Sequence, residues 1–463
     1  VSDDERQDDP EAGSRSLRQL ARGFRKRTLT SAKLAAKVGI KAAKRQLSRG
    51  WTPGDEDPEE TESDLEGARK LVEELGSLKG LMMKFGQIAS YMPGAMTPKA
   101  QRILSQLQAN TTAMEWDTVR EVLEAELSGE TDALFESLQT TPFAAASIGQ
   151  VHRARHEGRD VAVKIQYPGI EDVLAEDLRS AKLMARVSTF GMAMDGPVII
   201  EEIRQRMLEE CDYELEARSQ QTFRRIFDPL AGASAPEVIA DRSSGRVLTS
   251  VLDPGVGFQT FVDTASQQAR DRAAAVIFGT CFRCIFSHSI YNADPHPGNY
   301  LLSPEGDVTF LDFGCVRHFD PTMIDAWRRV AKATLAGDAK AWRDSYVDLG
   351  FVPKPDKFDW EHQWSMMQYL YRPFLTAEPF TYTQDYVRES YGLMIFDNPN
   401  RFKTAMPSQW VFLNRLQWGL NSILAALNAS ARYGELYREA LDLPTEPVRV
   451  PGHPGLSDAD RAR

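Results

Sequence analysis

Few cysteines, no long unbroken apolar run and no surplus of positive charge mark this sequence, and each shortage narrows what the chain can be. Four cysteines cannot staple 463 residues, so a disulfide scaffold is excluded and a reducing compartment is expected. Cys281 and Cys284 form a lone CxxC with no second Cys or His pair at zinc-finger spacing, which reads as buried structural thiols rather than a metal or redox centre. No stretch reaches the roughly 18 apolar residues of a membrane span and none has the layout of a signal peptide, so the expected location is cytoplasmic. A net charge of -11 argues against a general nucleic-acid binder, which needs clustered Lys and Arg to neutralise phosphates. What is present, 42% hydrophobic and 26% charged residues, is the balance of a globular chain. The length suits a two-lobed unit of roughly 350 to 400 residues behind an N-terminal extension.

Charge is unevenly distributed. Residues 14–54 contain no Asp or Glu but carry Arg15, Arg18, Arg22, Lys26, Lys33, Lys37, Lys41 and Arg49 among others. Leu17, Leu20 and Phe24, then Leu34 and Val38, add an apolar stripe at helical spacing, so the segment reads as a helix lying on an anionic membrane surface or docked on the acidic body. Asp55 to Asp64, with Pro53 and Pro58, form an acidic linker. Helical periodicity covers 71–91 and 101–127, followed by strand-like runs at 147–152 and 160–166. Helices are expected at 172–192, 201–227 and 263–288, a short strand at 247–252, a β-rich patch at 300–312, and mostly helix from 320 to 441. The resulting organisation is a basic segment and linker (1–64), a helical extension (65–139), a small lobe (140–253), a helical lobe (254–445) and a flexible tail (446–463).

The strongest chemical signal is Asp294-Pro-His-Pro-Gly-Asn299, followed eighteen residues after its aspartate by Asp312-Phe-Gly314. Kinase chemistry needs such a set: one Asp beside the attacking group, and an Asn five residues on plus the Asp of a DFG to hold magnesium. Carboxylate and amide oxygens suit that hard cation, which completes its shell with water and phosphate. His296, between two prolines, reads as a loop-shaping residue rather than a ligand. Upstream, Val161-Ala-Val-Lys164 matches the strand lysine that grips the α- and β-phosphates of a nucleotide. The segment Ala144, Ala145, Ala146, Ser147, Ile148, Gly149, Gln150 and Val151 lies where a kinase covers the phosphates, with alanine largely in place of glycine. Each Cβ restricts close backbone approach, so nucleotide preference between ATP and ADP should be altered. Ala162, Ser250 and Leu252 are further candidate nucleotide contacts. Lys164 needs an anionic partner, and Glu210, Asp212, Glu214 and Glu216 are all candidates.

Taken together, these motifs resemble those of the UbiB/ADCK (AarF-like) family of atypical kinases, over residues 75 to 431. Lys84-Phe-Gly86-Gln87 is similar to the family's KxGQ signature, Ala144 to Ser147 to its alanine-rich loop, and Glu210-Cys-Asp212 to its ExD motif. The resemblance implies an α+β, bilobal protein-kinase-like fold with a small β-containing N-lobe, a mainly helical C-lobe and an N-terminal helical KxGQ extension. It further implies that Glu216 pairs with Lys164, while Lys84, Gln87, Glu210 and Asp212 form a regulatory network over the site that keeps out peptide substrates. Family members act in quinone and isoprenoid-lipid metabolism, which implies ATP or ADP with Mg2+ as cofactors and a lipid partner. Two departures stand out: Asn292 replaces the histidine often found two residues before the catalytic-loop Asp, and the hinge at 247–253 lacks the usual Met-Glu pair. A phosphotransferase of the aminoglycoside or choline kinase type, and a nucleotide-gated lipid-binding module, are the competing readings. Oligomeric state leaves no signal in the sequence.

Overall fold

The computed structural model describes residues 113–146, 148–171, 208–400, 403–404 and 408–453. All of these belong to one compact unit, Thr112–Val173 with Glu202–Arg463. Lys84, Gln87, Ser147, the basic segment, the acidic linker and the helices expected at 71–91 and 172–192 lie outside the described residues.

In chain order residues 116–251, which build the small lobe and contribute β5 to the sheet of the large one, form α1 (Trp116–Leu127), β1 (Ser137–Leu138), β2 (Ala144–Ala145), β3 (Gly149–His156), β4 (Arg159–Gln166), α2 (Tyr213–Phe227), β5 (Ala233–Ser234) and β6 (Val247–Val251). Strands β1, β3, β4 and β6 lie side by side, with β2 folded back along β3. Two residues, Glu157 and Gly158, close the β3–β4 hairpin with φ of 48 and 71, the mirror-image turn that follows the natural twist of paired strands. Alternation then divides the sheet into two faces. Ala154, Val161, Val163 and Ile165 point to one side, where Val119 and Leu123 of α1 cover them together with Leu134, Phe135 and Val247. Helix α1 and strand β1, expected within the extension that precedes the lobe, are thus built into the lobe's own core. The opposite face carries Val151, Ala162 and Lys164, brought into line by the pairs Val151↔Lys164, Lys164↔Leu248 and Ala162↔Ser250.

The helix expected at 201–227 is interrupted. Cys211 and Asp212 leave the helical path, and the Asp212 side chain accepts a hydrogen bond from the Leu215 amide at 2.9 Å, capping the fresh start of α2.

The large lobe follows as β7 (Val256–Gly257), α3 (Phe258–Thr264), α4 (Gln267–His288), β8 (Ile290–Asn292), β9 (Tyr300–Leu302), β10 (Val308–Phe310), β11 (Val316–His318), α5 (Pro321–Leu335), α6 (Ala339–Asp348), α7 (Trp360–Leu370), β12 (Phe380–Thr381), α8 (Gln384–Tyr391), α9 (Ser408–Leu427), β13 (Ser430–Ala431) and α10 (Tyr433–Asp442). The single helix expected at 263–288 is two, because Ser266 caps a new helix by accepting from the Ala269 amide. Buried Ala273, Ala274, Ile277, Phe278 and Ile285 make α4 the axis of the core, against which the aromatic rings of Phe374, Tyr433 and Tyr437 pack.

The tail is a second correction, because residues 446–453, expected to be flexible, are docked. The amides of Glu446 and Val448 donate to the Ser287 and His288 carbonyls at the C-terminus of α4, satisfying acceptors that a helix end leaves open. Val450 is buried beside Leu215, Phe223 and Phe313, and Pro451 accepts from Arg218 of α2 at 2.8 Å. His318 joins this seam by accepting from the Val450 amide, and burial, with His453 and Arg449 adding to it, lowers its pKa to about 3, so it is neutral there.

Candidate functional site

Two loops separated in sequence meet because their flanking strands pair. Residues 293–299 run from β8 to β9 and residues 311–315 from β10 to β11, while β8 pairs with β11 and β9 with β10. The two loops therefore run side by side between the two strand pairs. Cross-bonds hold them together: the Ala293 amide donates to the Cys315 carbonyl at 2.8 Å and the Leu311 amide to the Asn299 carbonyl at 3.0 Å.

Asn292, the departure from the family pattern, bridges both loops. Its side-chain amide donates to the Asp312 carbonyl, while its oxygen accepts from the Asp294 amide at 3.3 Å. Asn299 donates to the Asp294 carbonyl at 2.9 Å and reaches its Oδ2 at 3.4 Å. With its side-chain nitrogen so engaged, Asn299 has its side-chain oxygen, Oδ1, to offer a cation. Asp312 accepts from the Gly314 amide at 2.9 Å. The donor set is thus hard oxygen, the chemistry that magnesium selects. Among the described residues no three His, Cys, Asp or Glu side chains form a ready-made metal cage. His296 accepts from the Gly298 amide at 3.0 Å, closing its own loop. Cys281 and Cys284 are buried free thiols, and burial pushes Cys284 up to about 12.

Across the cleft, Lys164 donates to both carboxylate oxygens of Glu216 at 2.7 and 2.9 Å. Of the four acidic candidates near the start of α2, the one a full turn inside the helix makes this contact; Asp212 is used as the cap, and Glu214 turns outward to Arg218. Burial pulls the Lys164 pKa down, but the charges of Glu216 and Asp312 outweigh it and raise the net value, so the ammonium stays charged. Burial pushes the Glu216 carboxyl up, Lys164 opposes it, Asp312 adds to it, and the outcome is about 7. Breaking a buried pair on one side leaves an uncompensated charge and costs about 3–5 kcal/mol.

The sign of the pH effect follows. A carboxyl raised from 4.5 to about 7 binds more protons folded than unfolded in that window. Its contribution to stability is therefore complete below about pH 4.5 and fades as pH rises through 7, by about 3 kcal/mol in all. Glu216→Gln removes this titration. Thermal midpoints measured from pH 4.5 to 8 should show the wild type losing ground relative to Glu216→Gln as pH rises; parallel curves would refute the assignment.

The expected phosphate-covering segment forms a tight hairpin, with Ala144 opposite Val151, Ala145 opposite Gln150, and the Ala146 amide donating to the Gly149 carbonyl at 2.9 Å. Gly149 is obligatory, since a Cβ there would sit 2.2 Å from the Ile165 carbonyl oxygen. Two of the candidate nucleotide contacts need correction. Gln150 faces the core side of β3, accepting from the Met114 amide and bonding to His152, and the Ile148 side chain is buried. Both can meet a ligand only through the backbone. Ser250 shares the Lys164 face but is engaged by Gln220 of α2 at 2.9 Å, and the Leu252 amide donates to Asp160. Glu210 is buried, and its neighbour Glu209 pairs with Arg317 of β11 at 2.6 Å, linking the approach to α2 with the strand behind Asp312.

Some elements of the site escaped the sequence reading. Tyr213 lies beneath Lys164, its ring centroid 4.8 Å from Nζ, although an aromatic at a helix start ordinarily signals core. Gly419 of α9 touches Pro295, and nothing local in the sequence could have revealed a contact across 124 positions.

A small twisted sheet over a helical lobe, with a strand lysine and helix glutamate facing an Asp-Asn loop and a DFG, defines a protein-kinase-like fold. The chain belongs to the ABC1 atypical kinase-like domain family, whose model matches residues 106–346. The mitochondrial atypical kinase coq-8 of Caenorhabditis elegans is 28% identical over 384 residues, 80% of this chain and 50% of that protein. Rat mitochondrial atypical kinase COQ8B is 30% identical over 289 residues, 62% of this chain and 54% of that one. The chain thus spans about half the length of these two relatives. Among solved structures, Rv3197 of Mycobacterium tuberculosis in complex with erythromycin has a TM-score of 0.63 at 26% identity, covering 83% of this chain and 98% of that one. No helix among the described residues is long and apolar enough to cross a membrane.

Proposed function

We propose that this chain binds magnesium-nucleotide and is an ATP-dependent atypical kinase or ATPase that serves isoprenoid-lipid or quinone metabolism, with no protein substrate. The Lys164–Glu216 pair, at 2.7 Å and facing the Asp294, Asn299 and Asp312 loops, is the observation that carries this reading. In it, Lys164 holds the α- and β-phosphates and Glu216 orients that lysine. Asn299 and Asp312 would hold a magnesium ion, which would neutralise phosphate charge when bound. Asp294, 6% exposed and tied to Asn299, positions the attacking hydroxyl or water and accepts its proton. ATP and ADP both enter, with preference set by the alanine-rich hairpin. The basic segment at 14–54 attaches the protein peripherally to anionic lipid, and Lys84, Gln87, Glu210 and Asp212 are regulatory residues.

Purified protein should hydrolyse ATP only with magnesium, faster when anionic liposomes doped with a polyprenyl quinone precursor are present. Absence of magnesium-dependent turnover under both conditions would sink the reading. A second reading, transfer to a soluble small molecule, draws on the relative solved with erythromycin, which holds a non-lipid compound. Turnover that neither responds to lipid nor alters lipid binding would favour it.

A further inference from the structure

We propose that Tyr213 is a positioning residue for Lys164: its ring is the floor on which the lysine ammonium rests, and it aims that charge at the nucleotide phosphates. The inference rests on the nucleotide reading above and adds a residue that none of the motifs contains.

The lysine ammonium has three N–H donors around one atom. The two oxygens of Glu216 occupy one side, and the Tyr213 ring, centroid 4.8 Å from Nζ, occupies another. Asp312 is near enough that Lys164 feels its charge. Two fixed supports leave one direction for the third donor, which is what orienting a phosphate ligand requires.

Several observations make this more than incidental packing. Tyr213 is 0% exposed, so ring and cation meet away from water, where attraction between them is strongest. It stands three residues before Glu216 on α2, on the same helical face, and one cap at Asp212 fixes the start of the helix for both. Any movement of α2 therefore carries both supports together. The far end of the ring reaches the phosphate-covering hairpin: a Cβ at Gly149 would lie 3.0 Å from the Tyr213 hydroxyl. That hydroxyl has no hydrogen-bond partner among the described residues. Lysine, helix start and hairpin end are thus packed around one ring.

Core filling is the plain alternative, and ring fluorination separates the two. Fluorine withdraws electron density from the ring face while hardly changing its shape, so it weakens a cation contact and leaves packing intact. The full chain is prepared with Tyr213→Phe and with phenylalanine analogues bearing one, two and three ring fluorines at position 213. Dissociation constants for Mg-ATP and Mg-ADP are measured alongside thermal midpoints. Tyr213→Phe should bind within about twofold of wild type, since it keeps the ring and removes an unsatisfied hydroxyl. Each fluorine should then weaken binding, reaching roughly tenfold at three, with thermal midpoints unchanged across the series. A flat affinity series overturns the proposal, and so does an affinity loss that tracks falling thermal midpoints. Wild-type protein that binds no nucleotide overturns the nucleotide reading itself, a result distinct from either.

Discussion

Asp312→Ala should abolish magnesium-dependent ATP turnover, lowering it on the order of a thousandfold, while leaving the fold intact. Both halves of the expectation come from the surroundings of the carboxylate. The bond from the Gly314 amide goes with the side chain, but the residue's own carbonyl is held by Asn292 and the flanking Leu311 and Cys315 main-chain bonds remain, so the loop keeps its main-chain anchors. Asp312 repels Glu216 and attracts Lys164, so its removal brings two opposed changes at that pair. The thermal midpoint should therefore hold as activity disappears. What is lost is the one anionic oxygen that the metal loop presents, with the neutral amide of Asn299 remaining. Nucleotide affinity titrated with and without magnesium gives a second measure: the wild type should bind more tightly with the ion, and Asp312→Ala should be indifferent to it. Equal turnover in variant and wild type would discard the mechanism.

Much of the site was legible because its chemistry is written in short segments. The strand Val161 to Lys164 shows alternation and a lysine at its end, and the two acidic loops announce themselves by residue type and spacing. Choosing Glu216 among four acidic neighbours was beyond local reading and came from the family resemblance. The reason is now physical: Asp212 was needed as a helix cap, Glu214 turns to Arg218, and Glu216, one turn further along α2, meets Lys164. Sequence periodicity ran through Cys211 and Asp212 because it is blind to a cap that restarts a helix. The docked tail was missed for a related reason. Residues 446–453 have no regular periodicity, and their order comes from main-chain bonds to the end of α4 and from one buried valine, Val450. The direction of the Gln150 side chain was not legible, because alternation along β3 assigns its face only once the hairpin register is known.

Gly419→Ala should lower kcat about a hundredfold with little change in nucleotide affinity. Alanine inside a helix ordinarily stabilises it relative to glycine by about 1 kcal/mol, so helix preference alone predicts a gain. Gly419 sits within α9 at the point where Pro295 of the Asp294 loop crosses it. A Cβ there would lie 2.3 Å from Pro295 Cγ, 3.1 Å from its Cβ and 3.2 Å from its carbonyl oxygen. The proline ring cannot rotate away, because its atoms are tied to the backbone of the residue that follows Asp294. Relief must come from displacing the loop, and a shift of about 1 Å in a positioned group is enough to cost two orders of magnitude in rate. Lys164, Glu216 and Asp312 stand on other elements, and Asn299, at the far end of the same loop, is anchored by the Leu311 amide, so phosphate and cation contacts should largely persist and KM should change little. The clash also predicts its own suppressor. Pro295→Ala removes the atom at 2.3 Å, so the double variant should recover part of the rate lost by Gly419→Ala, although Pro295→Ala alone is expected to slow the enzyme. Such sign reversal in a double-mutant cycle marks direct steric coupling. Purely additive losses, or a Gly419→Ala enzyme as fast as wild type, would show that α9 does not set the position of Asp294.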